Sequence, residues 1–247
     1  MTKGDIHSPW HYFVHTVLPS YEALLTVVAD GVIGGRRDTI ALGTAAEACL
    51  HLADHIAADP SFNSSIEGAP RSKMYVKQLA AISRPFAITQ NVANAWKHRR
   101  ISDPDRLVAG LDSLLERWAV IRYEDSDGYF FVARKVVLVR LTGGKELFGE
   151  DLIEGCILDW TDELLRLRVI TSRPKLAHLA RKALRSEVPS RPRMHMRGVV
   201  GEYVEHRPVF LAYDDKLDRF LPLTDKIGSV DIDFTADISP SPFEVPE

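Results

Sequence analysis

The run YFFVARKVVLVRL, Tyr129 to Leu141, leads directly into TGGK, Thr142 to Lys145, and then Glu146-Leu147-Phe148. Val and Phe dominate it, and β-branched and aromatic residues suit a pleated, half-buried backbone. Two glycines between two such runs mark a hairpin turn. This stretch makes the chain α+β, because the segments on both sides of it carry helical period.

Just downstream, Glu150-Asp151 opens a helix that carries Ile153, Cys156, Ile157, Trp160, Leu164 and Leu167. Acids in its first turn and Arg166 and Arg168 at its end suit the helix dipole. Upstream, Ser8-Pro9 is a capped helix start. From there Trp10, Phe13, Val14, Val17, Leu18, Tyr21, Leu24, Leu25 and Val28 form one apolar face, with a kink expected at Pro19. A second helix starts near Asp38-Thr39 and runs to Ile56. A third runs from Ser72 to Ile101 with a break at Pro85, and Asp105 to Arg117 is read as a further helix. Strand-like runs at Val209–Tyr213, Arg219–Leu223 and Ile227–Phe234 close the pattern. The expected fold is a mainly α-helical bundle with an inserted β-hairpin and a small β-rich C-terminal part. The expected divisions are a core at 1–170 with the hairpin at about 129–149, a basic connector at 171–198, a β-rich segment at 199–238 and a disordered tail at 239–247.

The 247 residues, 45% apolar and 26% charged, have the composition of an ordinary globular chain that can form a packed core. No apolar run reaches the roughly 18 residues that span a bilayer, and the first residues lack a signal-peptide pattern. Cys49 and Cys156 both lie in apolar helical stretches, where a buried reduced thiol is expected. The chain is therefore expected in the cytoplasm, away from membranes.

Net charge is −3, but its distribution is uneven. Arg166 to Arg197 holds ten Lys or Arg and the single acid Glu187, a net +9, while the rest carries 21 basic and 33 acidic residues, a net −12. Such a block attracts RNA or another polyanion, or else docks on the chain's own acidic surface. The candidate contacts are Arg173, Lys175, Arg181, Lys182, Arg185, Arg191 and Arg193, with Arg99 and Arg100 from the helix before. If about five charges met phosphates of a single strand, affinity would fall with salt at a log–log slope of roughly −3.5.

The run Gln90-Asn91-Val92-Ala93-Asn94-Ala95-Trp96-Lys97-His98-Arg99-Arg100 carries the candidate chemistry. On a helix Asn91, Asn94 and His98 share one face, and Ala95 leaves room for close approach. Two amides in line with an imidazole can bind a phosphate or move a proton. The same residue types also serve as helix-end caps and interhelical ties.

This segment is similar to the helical runs ending Asn-x-x-Lys-His in bacterial HEPN-like proteins. The likeness covers residues 8–120 by helix layout and Asn91 to His98 by motif. RNA-cutting members carry an Arg, a polar residue, and a His four to six residues beyond the Arg. His98 matches the histidine and Asn91 the polar position, while Gln90 precedes Asn91 where an arginine would fall. The resemblance implies a toxin- or defence-type ribonuclease needing neither metal nor cofactor, with two copies of the motif paired across a homodimer. It implies His98 as general base on a ribose 2′-hydroxyl or acid to the leaving group, with Asn91, Asn94 and Lys97 supporting it. Lys97, Arg99 or a partner subunit would supply the missing arginine's charge. Without that charge the same fold implies a non-catalytic helical adaptor or dimerisation protein.

His51 with His55, and His11 with His15, lie one helical turn apart. No His-Glu-x-x-His pattern accompanies them, and Glu47, His51 and His55 follow a solvated helix face, so no metal site is expected. Asp54 or His55 facing His98 is a further arrangement that would orient it. Trp96 is read as core or as a stacking surface for a base.

Overall fold

The structure, a computed structural model, describes residues 8–34, 36–62, 72–97, 106–188, 191–199, 208–223 and 230–239. The Val- and Phe-rich run forms β3 (Gly128–Arg140), whose Leu138, Val139 and Arg140 pair antiparallel with Phe148, Leu147 and Glu146 of β4 (Glu146–Phe148). Gly144 takes the left-handed turn position at φ +81°, which costs a glycine nothing.

On the other side β3 neighbours β2 (Leu114–Asp125), where a helix ending near Arg117 was expected. Trp118, Ala119, Val120 and Ile121 are all buried. Four consecutive buried positions need cover on both faces, which a strand between two layers receives and an amphipathic helix does not. Ser126 and Asp127 make the β2–β3 turn, and Gly128, the first residue of β3, takes the left-handed position after it at φ +102°.

The expectation of a mainly helical bundle is overturned. About half of the structure is helix and a quarter is strand, arranged with two sheets. The five-stranded sheet curls into a half-barrel of order β4-β3-β2-β6-β7, with β6 (Val209–Asp214) parallel to β2 and β7 (Arg219–Pro222) antiparallel to β6. The second sheet is parallel, with β5 (Arg193–Val199) between β1 (Val32–Ile33) and β8 (Asp233–Ser239). Its strands lie far apart in sequence, and no local pattern reports a pairing at that range. Residues 240–247 of the expected tail lie outside the described residues.

Two compact units divide the chain. One comprises Met1–Thr26, Thr39–Leu115 and Leu138–Ala177; the other comprises Val27–Asp38, Glu116–Val137 and His178–Glu247. The first holds most of five helical rods. The first rod runs through α1 (Pro9–Tyr12), a π-helical turn (Phe13–Val17) and α2 (Leu18–Ala29). In that turn Leu18 N–H reaches back to the Phe13 carbonyl, just before Pro19. A widened turn there relieves the clash between the proline ring and the preceding turn. The other rods are α3 (Arg37–Ala58), α4 (Ser72–Ile82), α5 (Arg84–Lys97) and α6 (Gly149–Arg166). The expected break in the third helix falls at Ser83, whose Oγ accepts the Phe86 amide proton at 3.0 Å and caps α5.

Trp160 of α6 anchors this unit's core. It is 1% exposed, meets the Phe86 ring edge-on at 5.4 Å, and donates its indole N–H to the Cys49 carbonyl at 2.9 Å. Both cysteines are buried free thiols. The second unit packs Ile33, Trp118, Val120, Met194 and Met196 into one cluster, with Phe131 and Ile232 against it. No helix among the described residues is long and apolar enough to cross a membrane.

Candidate functional site

α3 and α5 lie against each other where Gly43 faces Trp96. A Cβ on Gly43 would come within 2.5 Å of the indole, so only glycine admits that ring. One turn on, α3 presents Glu47, His51 and Asp54 beside Lys97 of α5. Lys97 Nζ lies 3.2 Å from Glu47 Oε1 and 3.1 Å from His51 Nε2, and His51 Nδ1 lies 2.9 Å from Asp54 Oδ2. An ammonium has only protons to offer, so Nε2 is the accepting nitrogen. The imidazole proton then sits on Nδ1 and is donated to Asp54. Asp54 is held below the usual carboxylate range: burial alone would raise it, but hydrogen bonds from Ser72 and His51 outweigh that. The result is a carboxylate–imidazole–ammonium array on one surface, with the His51 side chain 46% exposed. A base oriented by a fixed carboxylate is the recurrent geometry of proton abstraction.

Among the residues expected from sequence, Lys97 lies in this array. Asn91 does not: its amide donates to the Ala87 carbonyl at 2.8 Å and accepts from Leu107 N–H at 3.3 Å, tying α5 to the segment before β2. Asn94 is half-buried on α5. His98, Arg99 and Arg100 lie outside the described residues, and the chain enters them directly after Lys97. His55 stacks on Tyr12 at 4.0 Å, and the His11 and His15 rings lie 4.3 Å apart. Among the described residues no group of three or more His, Cys, Asp or Glu is placed to hold a metal ion.

Much of the basic stretch meets the chain's own acids. Arg173 pairs with Asp162, Lys182 with Asp215 at 2.7 Å, and Arg185 grips both Asp125 oxygens at 2.8 Å. Arg181 donates to the Asp218 carbonyl at 2.9 Å. The connector is also held by its main chain, with Tyr123 donating to the Arg181 carbonyl at 2.6 Å and Arg134 to the Ala180 carbonyl at 2.7 Å. Lys175, Arg191 and Arg193 are exposed and have no ion-pair partner among the described residues.

Sequence reasoning missed a second charged cluster, in the β-rich unit. Lys135 of β3 is fully buried and reaches Asp30 Oδ1 at 2.7 Å, the Val32 carbonyl at 2.7 Å and Asp38 Oδ1 at 2.8 Å. Those three acceptors use all three ammonium protons. Glu116 accepts the backbone N–H groups of Gly34 and Asp38 at 3.0 and 3.2 Å. The available signal was a lone lysine inside the Val-rich run, preceding Val136 and Val137. A saturated ammonium is no nucleophile, so this cluster fastens the 30–38 turn to β3.

No protein-family model, no curated protein and no solved structure matches this chain.

Proposed function

We propose that the chain is an RNA-associated protein that cuts single-stranded RNA without a metal at the α3–α5 surface. The observation that carries this is the Asp54–His51–Lys97 array. In the reaction the Lys97 ammonium turns from His51 Nε2 to the phosphate, and the freed nitrogen takes the proton of a ribose 2′-hydroxyl. The oxygen then attacks the adjacent phosphorus, and the 5′-oxygen of the next nucleotide leaves to give a cyclic phosphate. Lys97 stabilises charge on the non-bridging oxygens, in the place that the HEPN-like motif gives to arginine. His98, next in the chain, is the acid to the leaving group, and the likeness of Asn91–His98 to HEPN-like proteins supports that role. Two buried free thiols fit a reducing compartment such as the cytoplasm.

The test is incubation of purified protein with mixed-sequence RNA in excess chelator. Cutting with cyclic-phosphate ends is expected, with His51→Ala and His98→Ala each slower by about a hundredfold or more, and Asp54→Asn slower with RNA affinity unchanged. Wild-type protein that leaves RNA intact sinks the reading. A non-catalytic adaptor or homodimerisation role is the alternative. It draws on the Asn91 tie and on the Glu47 carboxylate beside Lys97, which weakens the pull on phosphate. Intact RNA with a stable dimer in solution would favour it.

A further inference from the structure

We propose that the β-rich unit carries a nucleotide-binding cleft, with Tyr129 as the stacking surface for a base and Arg191 as the contact for its phosphate. The cleft has a volume of about 670 Å³, within the range of roughly 300–1,000 Å³ typical of small-molecule sites. Its walls include Tyr129, Phe130, Phe131, Arg185, Arg191 and Asp231.

The walls differ in what they can offer. Phe131 is committed to the core cluster of this unit. Phe130 is buried, stacks on Tyr123 at 5.3 Å, and has the Arg185 guanidinium over its ring at 4.9 Å. Arg185 is neutralised by Asp125 and also donates to the Gly128 carbonyl at 2.9 Å. It is therefore a rigid, flat wall rather than a free charge. Tyr129 is 56% exposed, with Arg122 4.6 Å from its ring centroid. Arg191 is exposed and without an ion-pair partner among the described residues.

A flat guanidinium wall over Phe130, an exposed aromatic ring and one guanidinium without an ion-pair partner among the described residues call for a ligand with a flat face and an anion. A nucleotide has both. Inorganic phosphate would leave the aromatic wall wet, and an acidic peptide has no plane to stack. Asp231, exposed at the cleft, is an acceptor for the exocyclic amine of adenine or cytosine and discourages a second phosphate. The ligand is a free mononucleotide or one unpaired nucleotide of a strand, and both present the same chemistry. All these residues belong to the β-rich unit, and the proposal stands whether or not the chain cuts RNA.

The experiment is a fluorescence-anisotropy titration of the full chain with a labelled single-stranded octamer of 2′-O-methyladenosine, with AMP as competitor. The octamer lacks the nucleophilic hydroxyl, so failure to bind is distinct from failure to cut. Saturable binding of the octamer, of AMP or of both supports the cleft, and the pattern shows whether strand or free nucleotide is the ligand. Tyr129→Ala and Arg191→Ala should each weaken binding by about tenfold, the scale of losing one stacked base or one charged contact. Lys145→Ala, a like loss of one exposed charge in the helical unit and outside the expected polyanion contacts, should stay within about twofold. Absence of binding by both probes overturns the proposal. So does unchanged affinity in Tyr129→Ala, or a loss in Lys145→Ala equal to that in Arg191→Ala, which would mean diffuse charge attraction.

Discussion

Asp38 places a carboxyl where water does not reach. It is 1% exposed; burial pushes its pKa up to about 7, with the Glu116 and Asp30 charges adding to the rise and Lys135 only partly opposing it. Between the ordinary carboxylate range and about 7, the native state holds a proton that the unfolded chain has released. In that interval every rise in pH therefore favours unfolding. The urea midpoint of the wild type should fall between about pH 5 and about pH 8, and Asp38→Asn should remove that part of the slope. Equal slopes in the two proteins would assign the effect elsewhere. Lys135→Ala leaves Asp30 and Asp38 facing each other with no cation between them, and should cost about 3–5 kcal/mol in urea unfolding. At this scale the sequence was a partial guide. It drew attention to Lys97 through the helix-end pattern, but His51 looked like part of a solvated face, because Lys97, which joins it to Asp54 in one array, comes from a helix 46 residues away in the chain. Lys135 was hidden for the same reason, since its acceptors lie about a hundred residues upstream.

Among the elements, the α3–α5 seam depends on one missing side chain. Gly43→Ala drives a methyl group into the Trp96 ring and should destabilise the chain by about 1–3 kcal/mol. A shift in tryptophan emission should accompany that loss if Trp96 is what moves. The more conservative pair Gly43→Ala with Trp96→Leu should recover part of it, and a double variant no better than the single would place the strain elsewhere. Helices were the legible elements: a 3.6-residue period, a Ser cap and first-turn acids are local signals, and α3 to α6 fall where those signals put them. Strands beside a turn signal were legible too, as β3 and β4 show. The start of β2 is ambiguous in sequence, because Leu107, Leu111 and Leu114 satisfy a helical spacing within the helix expected from Asp105 to Arg117, and the turn at 126–127 lies beyond it. The pairing of β1 with β5 leaves no mark on either strand.

Across the whole molecule, part of the segregated charge is matched on the chain's own surface, at Arg166, Arg173, Lys182 and Arg185. Of the described residues in the expected polyanion set, Lys175, Arg191 and Arg193 have no ion-pair partner among the described residues. With phosphates met by these three alone, single-stranded RNA binding should show a log–log salt slope near −2, rather than the roughly −3.5 that five charges would give, at about −0.7 per phosphate. Filter-binding titrations at several salt concentrations measure it directly. A slope of −3.5 or steeper would mean that RNA displaces the pairs to Asp125, Asp215 or Asp162.

The connector's grip on β2 and β3 bears on how it tolerates change. Tyr123 and Arg134 hold it through peptide oxygens, which every amino acid possesses. Away from Arg181, Lys182 and Arg185, whose own side chains bond to Asp218, Asp215 and Asp125, its lettering is therefore free to drift as long as the two gripping side chains stay. An alanine scan across 176–180 should be nearly silent, whereas Tyr123→Phe together with Arg134→Ala should expose the segment to trypsin at its own arginines and lysine.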